Sequence, residues 1–420
     1  MARNRRSTRR RPIKEYLNMK TFLTIVGVLL VIIVIELGIH TCKNYEDKQL
    51  LARQKDELSK QSEQIFAELE NNISQTNQNI SEADEIIKMS AVGDILCSES
   101  MIEDAYNAET NTYNFSHMFA GVSGFIDNAD IVMGTMETNF TSGKYTSENT
   151  PKEFAQAVKN SGINVVTISH NHSLDYGSTG LRDTKKLLKE LGYNTVGDKI
   201  DDENAVLIKT VKNTKIAFLT YTYGVNYQSS KSKDDLKLVN MYSENQVKSD
   251  IKYAKKQGAK YICVMIHWGD AISDKVTDEQ KKMADFMVEN GVDMILGAHP
   301  SVVQPMEVRK NKDGKNVFIA YSIGTYISTL YDENAKTELV LNIELRKDGK
   351  DGSISLYKVD YTPIYVLDRG KDAQNRYELI DMKSAANNYT SGNPYGIDRE
   401  TYDKLIQGLK KLANSSNGLK

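Results

Sequence analysis

Eight polar side chains, Asp94, Glu137, His170, Asn171, His172, Asp175, His267 and His299, stand at or just past the ends of apolar, β-branched runs. Four of the six histidines of the chain are in this set. Histidines scattered over a surface would not coincide so often with the point where a hydrophobic run stops. Carboxylate, amide and imidazole donors together suit a borderline divalent ion such as manganese, zinc or iron. Only three cysteines are present, Cys42, Cys97 and Cys263, which argues against a structural zinc site and against a disulfide-stapled fold. The chemistry such a set could perform is activation of water for hydrolysis.

The densest part is the stretch 165–177, VVTISHNHSLDYG. Its opening reads as a strand buried on both faces, and the polar cluster falls where that strand ends, the usual place for ligands in open α/β sheets. The leucines at 181, 187, 188 and 191 predict a following helix, with Ser178 or Thr179 as its cap. Further strands are predicted from Met89 to Gly93 and from Asp130 to Met136. Others run from Tyr261 to Ile266 and from Val292 to Leu296, each with one of the eight residues beyond it. Thr150, Pro151, Lys152 and Glu153 read as a capping box, as do Thr277 and Gln280. Lys212 to Thr214 separates two strand-like runs in the manner of a hairpin, and the strands after residue 302 follow one another as if antiparallel. Tyr221, Tyr223, Tyr321 and Tyr326 lie in strand-like stretches and read as ordinary strand residues rather than a stacking platform.

The chain has 420 residues and a net charge of −2. Residues 1–20 hold eight basic side chains against Glu15, a net +7, which leaves −9 for the rest. An apolar run over residues 19–39 follows, about the ~20 residues that a bilayer crossing needs. Positive charge ahead of it predicts a cytoplasmic N-terminus and an extracellular main domain, and the length of the run with no small-x-small site after it favours an uncleaved anchor over a cleaved signal peptide. The same position makes the arginines a topology signal rather than a nucleic-acid tail. Leu51, Leu58 and Ile65, then Ile73, Ile80 and Ile87, recur sevenfold, which predicts a stalk helix able to pair two copies or, equally, a solvated spacer. The organisation read from the sequence is a basic tail (1–18), a transmembrane anchor (19–41), a helical stalk or linker (42–88), a main folded domain (89–368) and an extension with one helix (369–420).

The motifs GDIL at Gly93, TMET at Thr135, SHNHSLDYG at Ser169, HWG at His267, GAHPSVVQPME at Gly297 and YSIGTY at Tyr321 together resemble the CapA family. These are membrane-anchored bacterial proteins of capsule and poly-γ-glutamate synthesis with a calcineurin-like metallophosphoesterase domain. The resemblance implies an α/β fold, a four-layer α/β/β/α sandwich of metallophosphoesterase type. It implies metal ligands at Asp94, Glu137, Asn171, His267 and His299, and an assisting His172 oriented by Asp175, with a metal-activated water as nucleophile. The pattern departs at Leu96 and Ser301, where related phosphoesterases carry histidine, so the resemblance implies one ion (Mn, Zn or Fe) rather than two, or none, with His170 as a substitute ligand. Two functions stay open at this point. One is an anchored subunit working with other proteins of capsule or poly-γ-glutamate synthesis and export, in contact with an anionic polymer. The other is an extracellular metal-dependent hydrolase, a phosphoesterase or amide hydrolase, acting on an envelope polymer.

Overall fold

In the computed structural model the described residues are 19–76, 80–126, 128–201, 205–329 and 336–419. The chain divides into two compact units, Met1–Gln61 and Ser62–Lys420. The first consists, among its described residues, of most of one helix, α1 (Met19–Asn71), whose apolar part is long and hydrophobic enough to cross a membrane. The basic tail expected over residues 1–18 lies outside the described residues. Residues 62–71 of α1 belong to the second unit, where Ile65 and Leu69 are buried.

The second unit begins with β1 (Ser74–Gln75) and β2 (Glu85–Ile95), then α2 (Glu99–Ala105) and a small hairpin of β3 (Tyr106–Asn107) and β4 (Thr112–Tyr113). An alternating run follows: β5 (Ile131–Met136), α3 (Lys152–Asn160), β6 (Val165–Thr167), α4 (Gly177–Glu190) and β7 (Asn194–Val196). A second alternation comprises β8 (Val206–Val211), β9 (Thr214–Thr222), α5 (Lys233–Leu236), α6 (Glu244–Lys256), β10 (Tyr261–His267), α7 (Asp278–Glu289), β11 (Met294–Ala298), β12 (Met306–Lys310) and β13 (Asn316–Ala320). The chain then returns through β14 (Thr325–Ile327), β15 (Thr337–Lys347), β16 (Ile354–Asp368), β17 (Tyr377–Asp381), α8 (Met382–Asn388) and α9 (Arg399–Ser415).

Two mixed sheets result. One runs β1-β16-β15-β2-β5-β6-β7, with β14 added to β2 and β17 to β16; the other runs β12-β13-β11-β10-β9-β8. Within the first, β2, β5, β6 and β7 are parallel; within the second, β9, β10, β11 and β13 are parallel. Residues alternate along each strand, so each sheet presents two faces. Val132, Met136 and Val166 pack on Phe154, Val158, Leu181 and Leu188 of α3 and α4. Ile262, Val264 and Ile266 pack on Val247, Ile251, Ala284 and Met287 of α6 and α7. The opposite faces are also buried, at Met133 and Val165 on one sheet and Phe218 and Cys263 on the other, and Thr167 Oγ1 lies 2.7 Å from Thr220 Oγ1 between β6 and β9. Helices therefore cover the two outer faces and the sheets meet at the inner ones, the expected four-layer α/β/β/α arrangement.

Several local readings change. The helix α1 ends at Asn71, and Ile87 is a buried strand residue opposite Leu345, so the later sevenfold repeats belong to no stalk. Pairing of residues 85–91 with β15 draws the domain start ahead of Met89. The capping box at Thr277 and Gln280 forms, whereas α3 has Pro151 at its cap with no side-chain bond, and α4 starts at Gly177 behind Tyr176 rather than behind Ser178 or Thr179. The hairpin turn at Lys212 and Asn213 forms, both residues taking positive φ. Beyond residue 302 the strands are not a simple antiparallel series, because β13 lies parallel to β11 and β14 parallel to β2 in the other sheet. The segment from 369 adds β17 and α8 to the predicted helix α9. Asn72 Nδ2 donates to the Ala413 carbonyl (2.6 Å) and to Ser416 Oγ (2.9 Å), fixing the end of α9 to the entry of the unit.

The crossing of β14 against β2 depends on a missing side chain. A Cβ on Gly93 would stand 1.9 Å from the Gly324 carbonyl oxygen, the same oxygen that accepts the Asp94 N–H. Gly93→Ala must push that backbone away, and overpacking of this kind costs about 1–3 kcal/mol. Urea unfolding of the full chain should show a midpoint lowered accordingly, with a larger effect than Gly124→Ala, where nothing lies within 4 Å of the added carbon.

Candidate metal centre

Each of the sequence-selected residues reaches the site from the C-terminal end of a parallel strand. Asp94 lies near the end of β2, Glu137 follows β5, the turn His170–Asp175 follows β6, His267 closes β10 and His299 follows β11. The turn after β6 is tightened by Ser173, whose hydroxyl accepts the His170 N–H (2.8 Å) and lies 2.8 Å from the Ile168 carbonyl. After β11 the backbone turns sharply: His299 has φ 92° and Ser301 φ 56°. Asp94 Oδ2 accepts the His299 N–H at 2.8 Å and so holds this strained residue in place. Gly297 permits the approach, since a Cβ there would stand 2.0 Å from the Tyr321 carbonyl oxygen.

The side chains converge on one imidazole nitrogen. His267 Nε2 lies 2.8 Å from Asn171 Oδ1, 3.1 Å from His299 Nδ1 and 3.4 Å from Glu137 Oε1. A single ring nitrogen can satisfy only one of these by sharing a proton, so the group has more lone pairs than hydrogens. Ligand atoms about 2.0–2.2 Å from one ion stand about 3.0–3.4 Å from each other, close to the 2.8 to 3.4 Å that separates His267 Nε2 from the other three atoms. Glu137, His267 and His299 form a three-donor group with all ligand atoms within 4.8 Å. Buried atoms with no hydrogen-bond partner surround it: Glu137 Oε2, His267 Nδ1, His170 Nδ1 and Asp94 Oδ1. The donor set therefore fits a divalent cation, with Glu137, Asn171, His267 and His299 as the residues that would hold it.

Asp94 stands on the other side of the imidazole, its Oδ1 3.6 Å from His267 Nδ1. It is brought to the site, although not to the nitrogen where the other donors meet. Near it, Leu96 is a buried apolar residue and the Ser301 hydroxyl is turned back onto the His299 carbonyl (3.2 Å). His170 is buried with its ring centroid 6.1 Å from that of His267, and it is not part of the three-donor group.

Burial without a counter-charge dominates the electrostatics. Desolvation, reinforced by Glu137, raises the Asp94 carboxyl well above the usual range. Desolvation also pushes Glu137 up to about 7, partly opposed by His172. His267 is driven down by burial and by the charge of His172, and His299 falls to about 3 through burial and its histidine neighbours, which leaves both rings neutral and able to donate electron pairs. His172 goes the other way. Burial opposes its charge, but the hydrogen bond to Asp175 (Nδ1 to Oδ2, 2.6 Å) and the field of Glu137 outweigh it. Its Nε2 lies 4.0 Å from Glu137 Oε1 and its side chain is 22 % exposed, which sets a partly exposed imidazole that favours its charged form beside the buried donors.

Two residues at the site escaped the strand-end reading. Asn226 accepts from Asn171 Nδ2 (3.1 Å), donates its N–H to the Asn171 carbonyl (2.7 Å) and directs Nδ2 at Asp175 (3.3 Å). By accepting a hydrogen from the Asn171 amide nitrogen it fixes the side chain with its oxygen towards His267. Tyr223 lies over the two imidazoles, its ring 4.9 Å from that of His299. Both follow β9: Tyr223 reads as a continuation of that strand, and Asn226, four residues past its end, carries no local signal.

In metal-free protein, Glu137 is protonated over a range where the unfolded chain is not. The resulting destabilisation is absent below about pH 4.5 and grows as pH rises through about 7. Glu137→Gln removes it, so in the presence of chelator the stability of Glu137→Gln relative to wild type should increase between pH 5 and pH 8, as read by denaturant titration at each pH. A difference that shrinks over that interval would contradict the assigned burial.

Residues 88–330 match the family described as bacterial capsule synthesis protein PGA_cap. Among curated proteins, the capsule biosynthesis protein CapA of Bacillus anthracis is 28% identical over 279 residues, covering 63% of this chain and 66% of that protein. The PGA biosynthesis protein CapA of Bacillus subtilis (strain 168) is 24% identical over 279 residues, covering 64% and 70%. The match thus spans just under two thirds of the B. anthracis protein. Among solved structures, the NAD nucleotidase of Haemophilus influenzae aligns with a TM-score of 0.44 at 15% identity, covering 79% of this chain and 60% of that one. The calcineurin-like phosphoesterase YfkN of B. subtilis aligns at 0.41 and 14% identity, covering 80% and 99%. The family match takes in every strand end that carries a donor, and on it the chain belongs to the bacterial capsule synthesis protein family PGA_cap.

Proposed function

We propose that this chain is a single-pass membrane protein whose second unit works outside the cell in the synthesis or export of a capsule polymer such as poly-γ-glutamate, and that its site is a metal-dependent hydrolytic centre. The observation that carries the proposal is the convergence of Asn171 Oδ1, His299 Nδ1 and Glu137 Oε1 on His267 Nε2, beside a histidine held by a carboxylate. A divalent ion at this position supplies Lewis acidity to water or to a phosphoryl or carbonyl oxygen. Glu137, Asn171, His267 and His299 fix where that acidity is applied. His172, kept in one orientation by Asp175 and Asn226, holds a proton at Nε2 for the leaving group. The anchor rests on the apolar part of α1 and on the basic residues that precede it in the sequence. Partner subunits of the synthesis machine, an anionic polymer and pairing of two copies through the membrane-proximal helix complete the proposal. Because the chain beyond its basic start carries −9, a polyanion would be met through bound cations rather than by overall attraction.

A second reading has its own observation: on the Asp94 side, Leu96 and Ser301 offer no strong ligand, which suits a pocket that binds polymer without cleaving it. One experiment separates the two. Full-length protein in detergent should hold about one equivalent of manganese or zinc and gain thermal stability on addition of the ion, by about 2.7 kcal/mol at a hundredfold excess over Kd. His267→Ala should lose both. Hydrolysis of a p-nitrophenyl phosphodiester by wild type and not by His172→Ala, with metal retained in both, supports the hydrolase. Metal binding without turnover on phosphodiester or γ-glutamyl amide supports the binding role.

A further inference from the structure

Four tyrosines share strand-like surroundings in the sequence, and the structure separates one of them. Tyr221, Tyr321 and Tyr326 are buried; the Tyr221 hydroxyl donates to Asp250 (3.0 Å) and the Tyr321 hydroxyl to Glu307 (3.0 Å). Tyr223 is 49% exposed. It sits one residue past β9, anchored by its N–H donating to the His267 carbonyl at 2.9 Å. Its ring lies nearly parallel to that of His267 (7°, centroids 6.4 Å) and 4.9 Å from that of His299. One side of the phenol thus covers two of the metal-donor imidazoles while the rest faces solvent. Its hydroxyl makes no hydrogen bond to any described residue.

A half-exposed aromatic ring fixed over a cation hollow, with a free donor at its tip, has no structural task that the fold requires. The backbone bond to His267 would be made by any residue, and ring–ring contact would be made equally by phenylalanine. What tyrosine adds is an O–H, protonated at neutral pH, on a partly exposed ring that lies beside the imidazoles of His267 and His299. We propose that Tyr223 is a substrate-contacting residue whose phenol donates a hydrogen bond to an anionic oxygen, phosphoryl or carboxylate, of the molecule seated at the ion. The contact pairs a neutral donor with a charged acceptor, which makes it stronger than a bond between two neutral groups. It rests on the reading of Glu137, Asn171, His267 and His299 as holding an ion.

The test uses full-length protein in detergent, loaded with manganese, and Tyr223→Phe, which keeps the ring and removes only the hydroxyl. Manganese content and affinity should be the same in both. Titration with inorganic phosphate in one arm and glutarate in the other should show binding weakened about ten- to hundredfold by the substitution, the range expected for loss of a hydrogen bond to a charged group. The arm that responds identifies the kind of oxygen. Tyr227→Phe, on the same loop and 80% exposed, should leave both affinities unchanged. Equal anion affinities in wild type and Tyr223→Phe, or no anion binding by the manganese-loaded wild type, overturn the role of Tyr223 and leave the metal site standing. Failure of the wild type to bind manganese overturns both.

Discussion

The site exists because two parallel strands in different sheets finish at the same edge of the molecule. Asn171 comes off β6 in one sheet and His267 closes β10 in the other, yet their side chains meet at 2.8 Å. Sheet packing must therefore hold that edge to a few tenths of an ångström. Small and short side chains do this locally. Thr167 and Thr220 bond across the inner layer, and a Cβ on Gly197 would be 2.4 Å from Thr220 and 2.6 Å from Ser169. The return of β14 from the second sheet to pair with β2 in the first adds a covalent tie at the same edge.

That rigidity sets up an electrostatic problem which the protein alone does not solve. Two buried carboxyl groups and two buried imidazoles keep unpaired atoms, at Asp94 Oδ1, Glu137 Oε2, His170 Nδ1 and His267 Nδ1, with the His172 ring 4.0 Å from Glu137. Buried carboxylates normally find a partner, because leaving them unpaired costs free energy. A divalent cation would answer the donors that meet at His267 Nε2, and its binding would then be coupled to the stability of the fold that creates the site.

Much of this was legible in the sequence, for a physical reason. A strand buried on both faces must be apolar throughout, so polar residues at its end stand out, and Asp94, Glu137, Asn171, His172, His267 and His299 were all found by that contrast. What could not be read were features decided by neighbours distant in sequence. Ile87 repeats at a helical spacing but pairs with Leu345, and a strand partner nearly 260 residues away leaves no local trace. Tyr223 has the composition of a strand residue and differs from Tyr221 only in where β9 stops. Asn226 is one asparagine among many until the loop after β9 folds over the turn after β6.

His299 carries a consequence beyond the site. An imidazole at φ 92° occupies backbone territory where glycine would be comfortable, and the Asp94 carboxylate is committed to keeping it there. Exchanging that histidine for glycine would relieve the backbone and at the same time remove one of the four side chains that could hold a cation, so local comfort and a ligand nitrogen compete for the same position.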